Sequence, residues 1–299
     1  MIRIFRKKKS IQKKNRTEEL DRKEKWRKRI RVIAPFLVFG FVFGIYLLTT
    51  VRYAPGYADS DEVITTIYES GVMHPPGYPL LVMMGKPFMF LPFGSVAFRT
   101  GVYTSFLGAL TVVFVYLSIV KLLNLESGIK NHEGKEEKFI IHNSLFIIPA
   151  LAGSLCLAFS YMFWMYSVVP EKYVPMYLFA MIMVFLMVCW YEEKKNLEGK
   201  KGGKTIEKSK YLYWLSFFFG LALVSHQVIL FMIPAFMFIA WFVDRKIYLA
   251  PARWLKLLIV FAVSMLPNYY IIWAAKRRPT VNPGNPECIQ VIRCIHNRK

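Results

Sequence analysis

Pro79-Leu80-Leu81-Val82-Met83-Met84-Gly85-Lys86-Pro87-Phe88-Met89-Phe90-Leu91-Pro92-Phe93 is the run on which the fold turns. It is apolar, yet Pro79, Pro87 and Pro92 interrupt it, and Lys86 would lie near mid-bilayer if it crossed. A short, proline-broken, lysine-bearing segment fits an interfacial or re-entrant position better than a span. Seven other runs read as spans: 32–51, 98–120, 144–165, 174–191, 211–226, 228–243 and 255–275. Cytoplasmic loops collect Lys and Arg, which tests the choice. With seven spans and a cytoplasmic N-terminus, segments 1–31, 121–143, 192–210 and 244–256 lie inside and hold 15, 4, 7 and 4 Lys/Arg. The outer segments 52–99 and 165–174 hold three and one. An eighth span at 79–93 would put the seven-lysine loop 192–210 outside, so seven is the better count.

Composition agrees with a membrane protein. Of 299 residues, 55% are hydrophobic and 16% aromatic, too apolar for an ordinary soluble domain. The net charge of +21 sits between the spans rather than on a soluble basic face, which argues against a nucleic-acid partner. Residues 1–31 hold fifteen Lys/Arg and four acids, too long and charged for a signal peptide. They read as a cytoplasmic tail, disordered or partly helical, that touches anionic headgroups. The membrane domain follows at 32–275, with a first outer loop at 52–97 and a short outer tail at 276–299. Cys156 and Cys189 lie in apolar runs and read as packing residues. Cys288 and Cys294, with His296 nearby, lack the spacing and ligand number of a zinc site.

This topology gathers polar groups on the outer face. The loop after the first span reads Ala54-Pro55-Gly56-Tyr57-Ala58-Asp59-Ser60-Asp61-Glu62, and His74-Pro75-Pro76-Gly77-Tyr78-Pro79-Leu80 follows. Ionisable groups beside a bilayer are costly and point to function. Val63, Ile64, Ile67 and Tyr68 recur at helical spacing, which predicts an amphipathic helix on the outer membrane surface, capped by Ser60. Glu171 and His226 emerge on the same face.

Each candidate has a plainer reading. Asp59 is placed to take a proton from a hydroxyl as general base, and Asp61 is the second candidate. Both could instead form a helix N-cap cluster, with Glu62 complementing the dipole. His74 is a candidate for phosphate or sugar binding, or a turn cap. Lys86 and Arg99 could neutralise a lipid phosphate, or snorkel to headgroups. Glu171 could bind substrate, or pair with Lys172 as a solvated rim. His226 could be a ligand, or a packed histidine at a span end. Walker loops, dinucleotide fingerprints, zinc-protease motifs and Gly-x-Ser-x-Gly elbows are absent from the sequence.

At these residues the chain resembles a family of multi-pass membrane proteins long catalogued as a domain of unknown function. Its animal relatives include the O-mannosyltransferase acting on IPT domains of plexin and Met-type receptors. The family's Asp-x-Gly-Glu acid motif is similar to Asp59-Ser60-Asp61-Glu62, with Asp61 at the Gly, so either Asp59 or Asp61 can be the base. Its His-Pro-Pro-Gly-x-Pro-Leu motif is similar to His74–Leu80 and includes Tyr78. Gly85-Lys86, Leu91–Ser95 and Arg99 follow in order, then Trp164–Tyr173, then Gly220–Leu223 with His226. Asn282–Pro286 resembles an Asn-Trp-Gly-Asp/Asn-Pro motif, with Pro283 at the Trp. Family members continue further than Lys299, so the chain is expected to be short or truncated.

The resemblance implies an all-α integral membrane fold, a GT-C-like bundle of about seven transmembrane helices with an amphipathic or re-entrant first outer loop. It implies transfer of a sugar, mannose in the first instance, from a polyprenyl-phosphate donor to a protein or glycan hydroxyl, with inversion. Asp59, Asp61 and Glu62 supply the catalytic candidates, and His74, Tyr78, Lys86, Arg99, Glu171 and His226 the binding ones. No cofactor and no metal ligand set is required, though a divalent metal stays open. A bacterial inner membrane is favoured over endoplasmic reticulum, with the active face away from the cytoplasm. The competing readings are a non-catalytic or truncated scaffold and a lipid or solute transporter; the latter would show repeats and mid-bilayer polar sites.

Overall fold

The computed structural model describes residues 2–130, 146–198, 209–245, 251–277 and 279–283. Cys288, Cys294, His296 and residues 284–286 of the last motif lie outside the described residues. Helix α1 runs Ile2–Thr49, α2 Ser60–Glu69, α3 Pro79–Gly85 and α4 Val96–Lys130. Helices α5 (Ile147–Ala158) and α6 (Tyr161–Val168) follow, then α7 (Val174–Glu198) and α8 (Lys210–Ser225). The last are α9 (Ile233–Val243), α10 (Pro251–Ser264) and α11 (Tyr269–Lys276), with short 3-10 turns at Lys86–Phe90, Gln227–Met232 and Leu266–Asn268. Among the described residues there is no strand, so the all-α membrane expectation holds, in an arrangement consistent with the GT-C-like type.

The span count differs from seven. Among the described residues, four helical stretches are long and apolar enough to cross: Arg29–Thr49, Val96–Leu125, Val174–Asn196 and Pro251–Lys276. Helices α5 and α6 together make a fifth, bent by 65°. The expected spans 211–226 and 228–243 fall on shorter apolar helices, Lys210–Ser225 and Gln227–Val243. At about 1.5 Å per residue, α8 is ~24 Å long, short of the ~30 Å hydrocarbon core. The path still alternates. At one end Lys121 pairs with Glu192, and Asp244 with Lys194 and Arg253. At the other end, α8 delivers His226 against Tyr78 and Tyr173. The run 79–93 folds as α3 and a 3-10 turn, too short to cross.

The basic segment is helical from Ile2, continuous with the first span. Helix α2 departs from the expected surface position. Val63, Ile64 and Ile67 are buried, with only Tyr68 of the predicted apolar face exposed. The reason is available cover: α3 and α4 present Leu81, Tyr103 and Leu107 to the same cluster as Val63 and Ile67. Burial in protein removes that face from both water and lipid.

A second set of contacts fixes the turn after α6. Thr50 Oγ1 and the Val51 N–H both donate to the Val168 carbonyl, at 2.9 and 3.2 Å. Ser105 Oγ donates to the Ser167 carbonyl at 3.1 Å. Gly108 makes this approach possible, because a Cβ there would lie 2.4 Å from Ser167 Oγ and 2.8 Å from its Cβ. Gly108→Val is expected to destabilise the protein by about 1–3 kcal/mol through overpacking. It should also displace residues 169–173. A thermal-unfolding comparison with the parent in detergent checks it, and an unchanged midpoint would contradict the close packing.

Candidate functional site

Asp59 begins the site. It holds the N-cap position of α2, with φ −95° and ψ 7°, but its side chain makes no capping hydrogen bond. Instead its Oδ2 accepts from Lys172 Nζ. Ser60 does not cap either; its hydroxyl donates to the Tyr57 carbonyl at 2.5 Å. Asp61 is used locally, with Oδ1 accepting from the Gly56 N–H at 3.1 Å. Ala58 and Tyr78 adopt positive φ, 46° and 44°. Such backbone costs about 1–2 kcal/mol for an L-residue, and the two residues stand beside the Asp59 turn and the His74 loop.

Glu62 and His74 form the second layer. The Glu62 carboxylate accepts from the His74 backbone N–H at 2.7 Å and lies 2.6 Å from His74 Nδ1. With the Nδ1 proton given to Glu62, the Nε2 lone pair faces Lys172 Nζ at 3.3 Å. Lys172 thus bonds two groups at once. Its ammonium also lies 5.4 Å from the Tyr78 ring centroid and 5.5 Å from that of Tyr173. Tyr173 in turn packs on His226, centroids 4.8 Å apart, and His226 Nδ1 accepts from the Val228 N–H. Asp59, Glu62, His74, Tyr78, Glu171 and His226, all expected from the sequence, therefore converge.

The sequence missed Lys172. Of the two readings of Glu171, the solvated rim with Lys172 does not fit: the two residues are buried, 0% and 7% exposed, and Lys172 turns to Asp59. Burial works against the charged ammonium, but the Asp59 hydrogen bond, together with the charges of Asp59, Tyr78 and Tyr173, outweighs it and raises the Lys172 pKa. Glu171 is fully buried, and neither oxygen accepts a well-aligned hydrogen bond. Burial, reinforced by the Asp59 charge, pushes its carboxyl up to about 7. Lys172 and nearby backbone N–H groups offset only part of that.

Lys86 and Arg99 do not join this cluster. Lys86 donates to the Tyr68 carbonyl. Arg99 donates to the Met89 and Leu91 carbonyls at 2.7 and 3.4 Å, tying the end of the 3-10 turn to α4. One oxygen each from Asp59 and Glu62 and one His74 nitrogen lie within 4.8 Å of one another, a donor set suited to a divalent cation. The resident cation is Lys172, which bonds two of those three groups. The Val72 N–H donates to the Val281 carbonyl at 3.1 Å, so residues after α11 fasten the strand leading to His74. Beside this contact, Met83, Leu266, Pro267, Tyr269, Tyr270 and Trp273 line an open apolar groove of about 400 Å³.

The acid motif, the histidine loop and the Glu171 turn, brought together in space, all lie within the stretch that one family profile matches. The profile of the protein O-mannosyl-transferase TMEM260 N-terminal domain matches residues 59–248. The chain belongs to this family. A mouse protein O-mannosyl-transferase TMEM260 is 27% identical over 236 residues, 78% of this chain and 29% of the relative. A Dictyostelium discoideum protein of the same name is 26% identical over 262 residues, 86% of this chain and 29% of the relative. The chain therefore spans about three tenths of the length of these relatives. No solved structure matches it.

Glu171 makes stability depend on pH. Below about pH 4.5 the group is neutral folded and unfolded; between 4.5 and about 7 the folded protein binds the extra proton. Stability from this group is thus full below pH 4.5 and is lost as pH rises through 7. Glu171→Gln should remove that component, on the order of 2–3 kcal/mol. Thermal unfolding of both proteins from pH 4.5 to 8 checks it: the Gln variant gains relative to the parent as pH rises, and parallel profiles would contradict it.

Proposed function

We propose that the chain is part of a membrane O-mannosyltransferase that moves mannose from a polyprenyl-phosphate donor to a protein hydroxyl, with inversion. The relatives' names support mannosyl transfer to protein. The observation that carries the reading to this chain is the Asp59 carboxylate. It is left uncapped at the head of α2 and one third exposed, where an acceptor hydroxyl can reach it.

In this reading Asp59 takes the hydroxyl proton while the acceptor oxygen attacks the anomeric carbon from the face opposite the phosphate. The C1–oxygen bond to phosphate breaks, and the polyprenyl phosphate leaves. Asp61, bonded to Gly56, shapes the loop and is not the base. Glu62 fixes the His74 ring, and His74, Tyr78, Glu171 and His226 form the sugar side. The apolar groove beside Tyr270 suits an isoprenoid chain. Lys172 supplies the positive charge, so no metal is required. The reading has the site facing away from the cytoplasm, which Lys121, Lys194 and Arg253 at the other end of the bundle support. The two relatives are from eukaryotes.

Transfer of labelled mannose from polyprenyl-phosphate mannose to an acceptor protein tests the reading. Asp59→Asn should lower the rate by about 10²–10⁴-fold, the usual contribution of a general base. Asp61→Asn should stay within about tenfold, and EDTA should leave the parent's rate unchanged. Equal losses in both Asn variants would transfer the base role to the loop as a whole. No transfer by the parent, with other lipid-linked sugars also tried, would favour the scaffold reading.

A further inference from the structure

Lys172 is an unusual cation for its place. Its side chain is only 9% exposed, yet it bonds groups that are far more open: the Asp59 and His74 side chains are 34% and 33% exposed. Its two bonds, to Asp59 Oδ2 and His74 Nε2, use two of its three N–H groups. The Tyr78 and Tyr173 rings, with centroids 5.4 and 5.5 Å from the ammonium, confine it. The cluster holds three carboxyls, Asp59, Glu62 and Glu171, against this single ammonium among the described residues. Lys86 and Arg99 already serve backbone carbonyls.

An ammonium bonded to Asp59 Oδ2 stabilises the carboxylate and lowers its basicity. The resting pair therefore weakens the base that the proposed reaction needs. We propose that Lys172 changes partner: at rest it is bonded to Asp59 and His74, and it moves to the phosphate of an incoming lipid-phosphate sugar. The move neutralises the leaving group and clears the Asp59 carboxylate for the acceptor. This inference rests on the transfer reading above.

The step balances. The donor is a phosphodiester of charge −1, Asp59 carries −1 and Lys172 +1. The acceptor O–H bond breaks and its proton goes to Asp59, a bond forms between the acceptor oxygen and C1, and the C1–O–phosphate bond breaks. The polyprenyl monophosphate leaves as a dianion, paired with Lys172, while Asp59 is neutral. The donor must then bind before the acceptor can be deprotonated, so donor and acceptor add in that order.

The test is lipid binding by the full chain in nanodiscs. Polyprenyl monophosphate, the uncharged polyprenol and inorganic phosphate are the probes. The parent should bind the phosphate lipid at least tenfold more tightly than the polyprenol, and inorganic phosphate should compete only weakly, because the isoprenoid adds affinity. Equal competition by inorganic phosphate would mean the site reads free phosphate, and would overturn the lipid assignment. Lys172→Met should lose the preference for the phosphate lipid, and Lys172→Arg should keep it. The decisive variant is Asp59→Asn, which frees the lysine and should tighten phosphate-lipid binding several-fold. Unchanged or weaker binding in a folded Asp59→Asn protein would overturn the exchange.

If that variant does not fold, amine modification of Lys172 in the parent, mapped by mass spectrometry, decides instead. Its rate should change with polyprenyl phosphate and not with polyprenol, and no change would overturn the proposal. The two readings fail separately. Transfer without tightening by Asp59→Asn leaves the enzyme and removes the exchange; tightening without transfer from any lipid-linked sugar leaves a phosphate-lipid site and removes the enzyme.

Discussion

The ion pair between Asp59 and Lys172 is the contact on which the site depends. It joins two segments 113 residues apart in sequence, the head of α2 and the turn between α6 and α7. Breaking this pair from one side strands the remaining charge, at a cost below the about 3–5 kcal/mol of a fully buried pair because Asp59 is one third exposed. Such a pair holds its segments in register only when both are delivered by rigid neighbours. Here they are. Thr50 and Val51 catch the end of α6 through the Val168 carbonyl, and α2 is pressed on α3 and α4 by Val63 and Ile67.

The remaining polar groups are arranged around that pair by hydrogen bonds of single purpose. Glu62 takes both the backbone and the ring N–H of His74, which leaves the other ring nitrogen toward Lys172. Asp61 closes its own turn onto Gly56. Glu171 alone has no good partner, and its burial makes it the group whose proton the fold retains near neutral pH. A site built this way separates charge carriers from orienting groups, which is what pre-organised electrostatics requires.

The bundle explains why short helices suffice around the site. The pair formed by α8 and Gln227–Val243 starts beside Glu193, reaches His226 and returns to Asp244 at the basic end. Both arms are shorter than the helices long enough to cross on their own. Gly220 allows α8 to approach α10 closely, since a Cβ there would meet Ser264 Oγ at 1.7 Å.

Hydropathy and the placement of lysines determined, from sequence alone, an all-α membrane chain with the acid and histidine motifs at one end. That much is legible because membrane insertion acts on each segment independently, through local composition. The same local logic located Asp59, Glu62, His74, Tyr78, Glu171 and His226, but it offered Lys172 only as a possible rim partner of Glu171 and placed α2 on the membrane surface. Sequence distance hides the partners that corrected both: Asp59 for Lys172, and α3 and α4 for α2. The helix lengths at His226 and the 65° break after Ala158 were likewise settled only when neighbouring helices supplied the cover that a lone span would lack. Tertiary packing decides these features because an ion pair, a buried face and a broken helix are stable only against something specific on the other side.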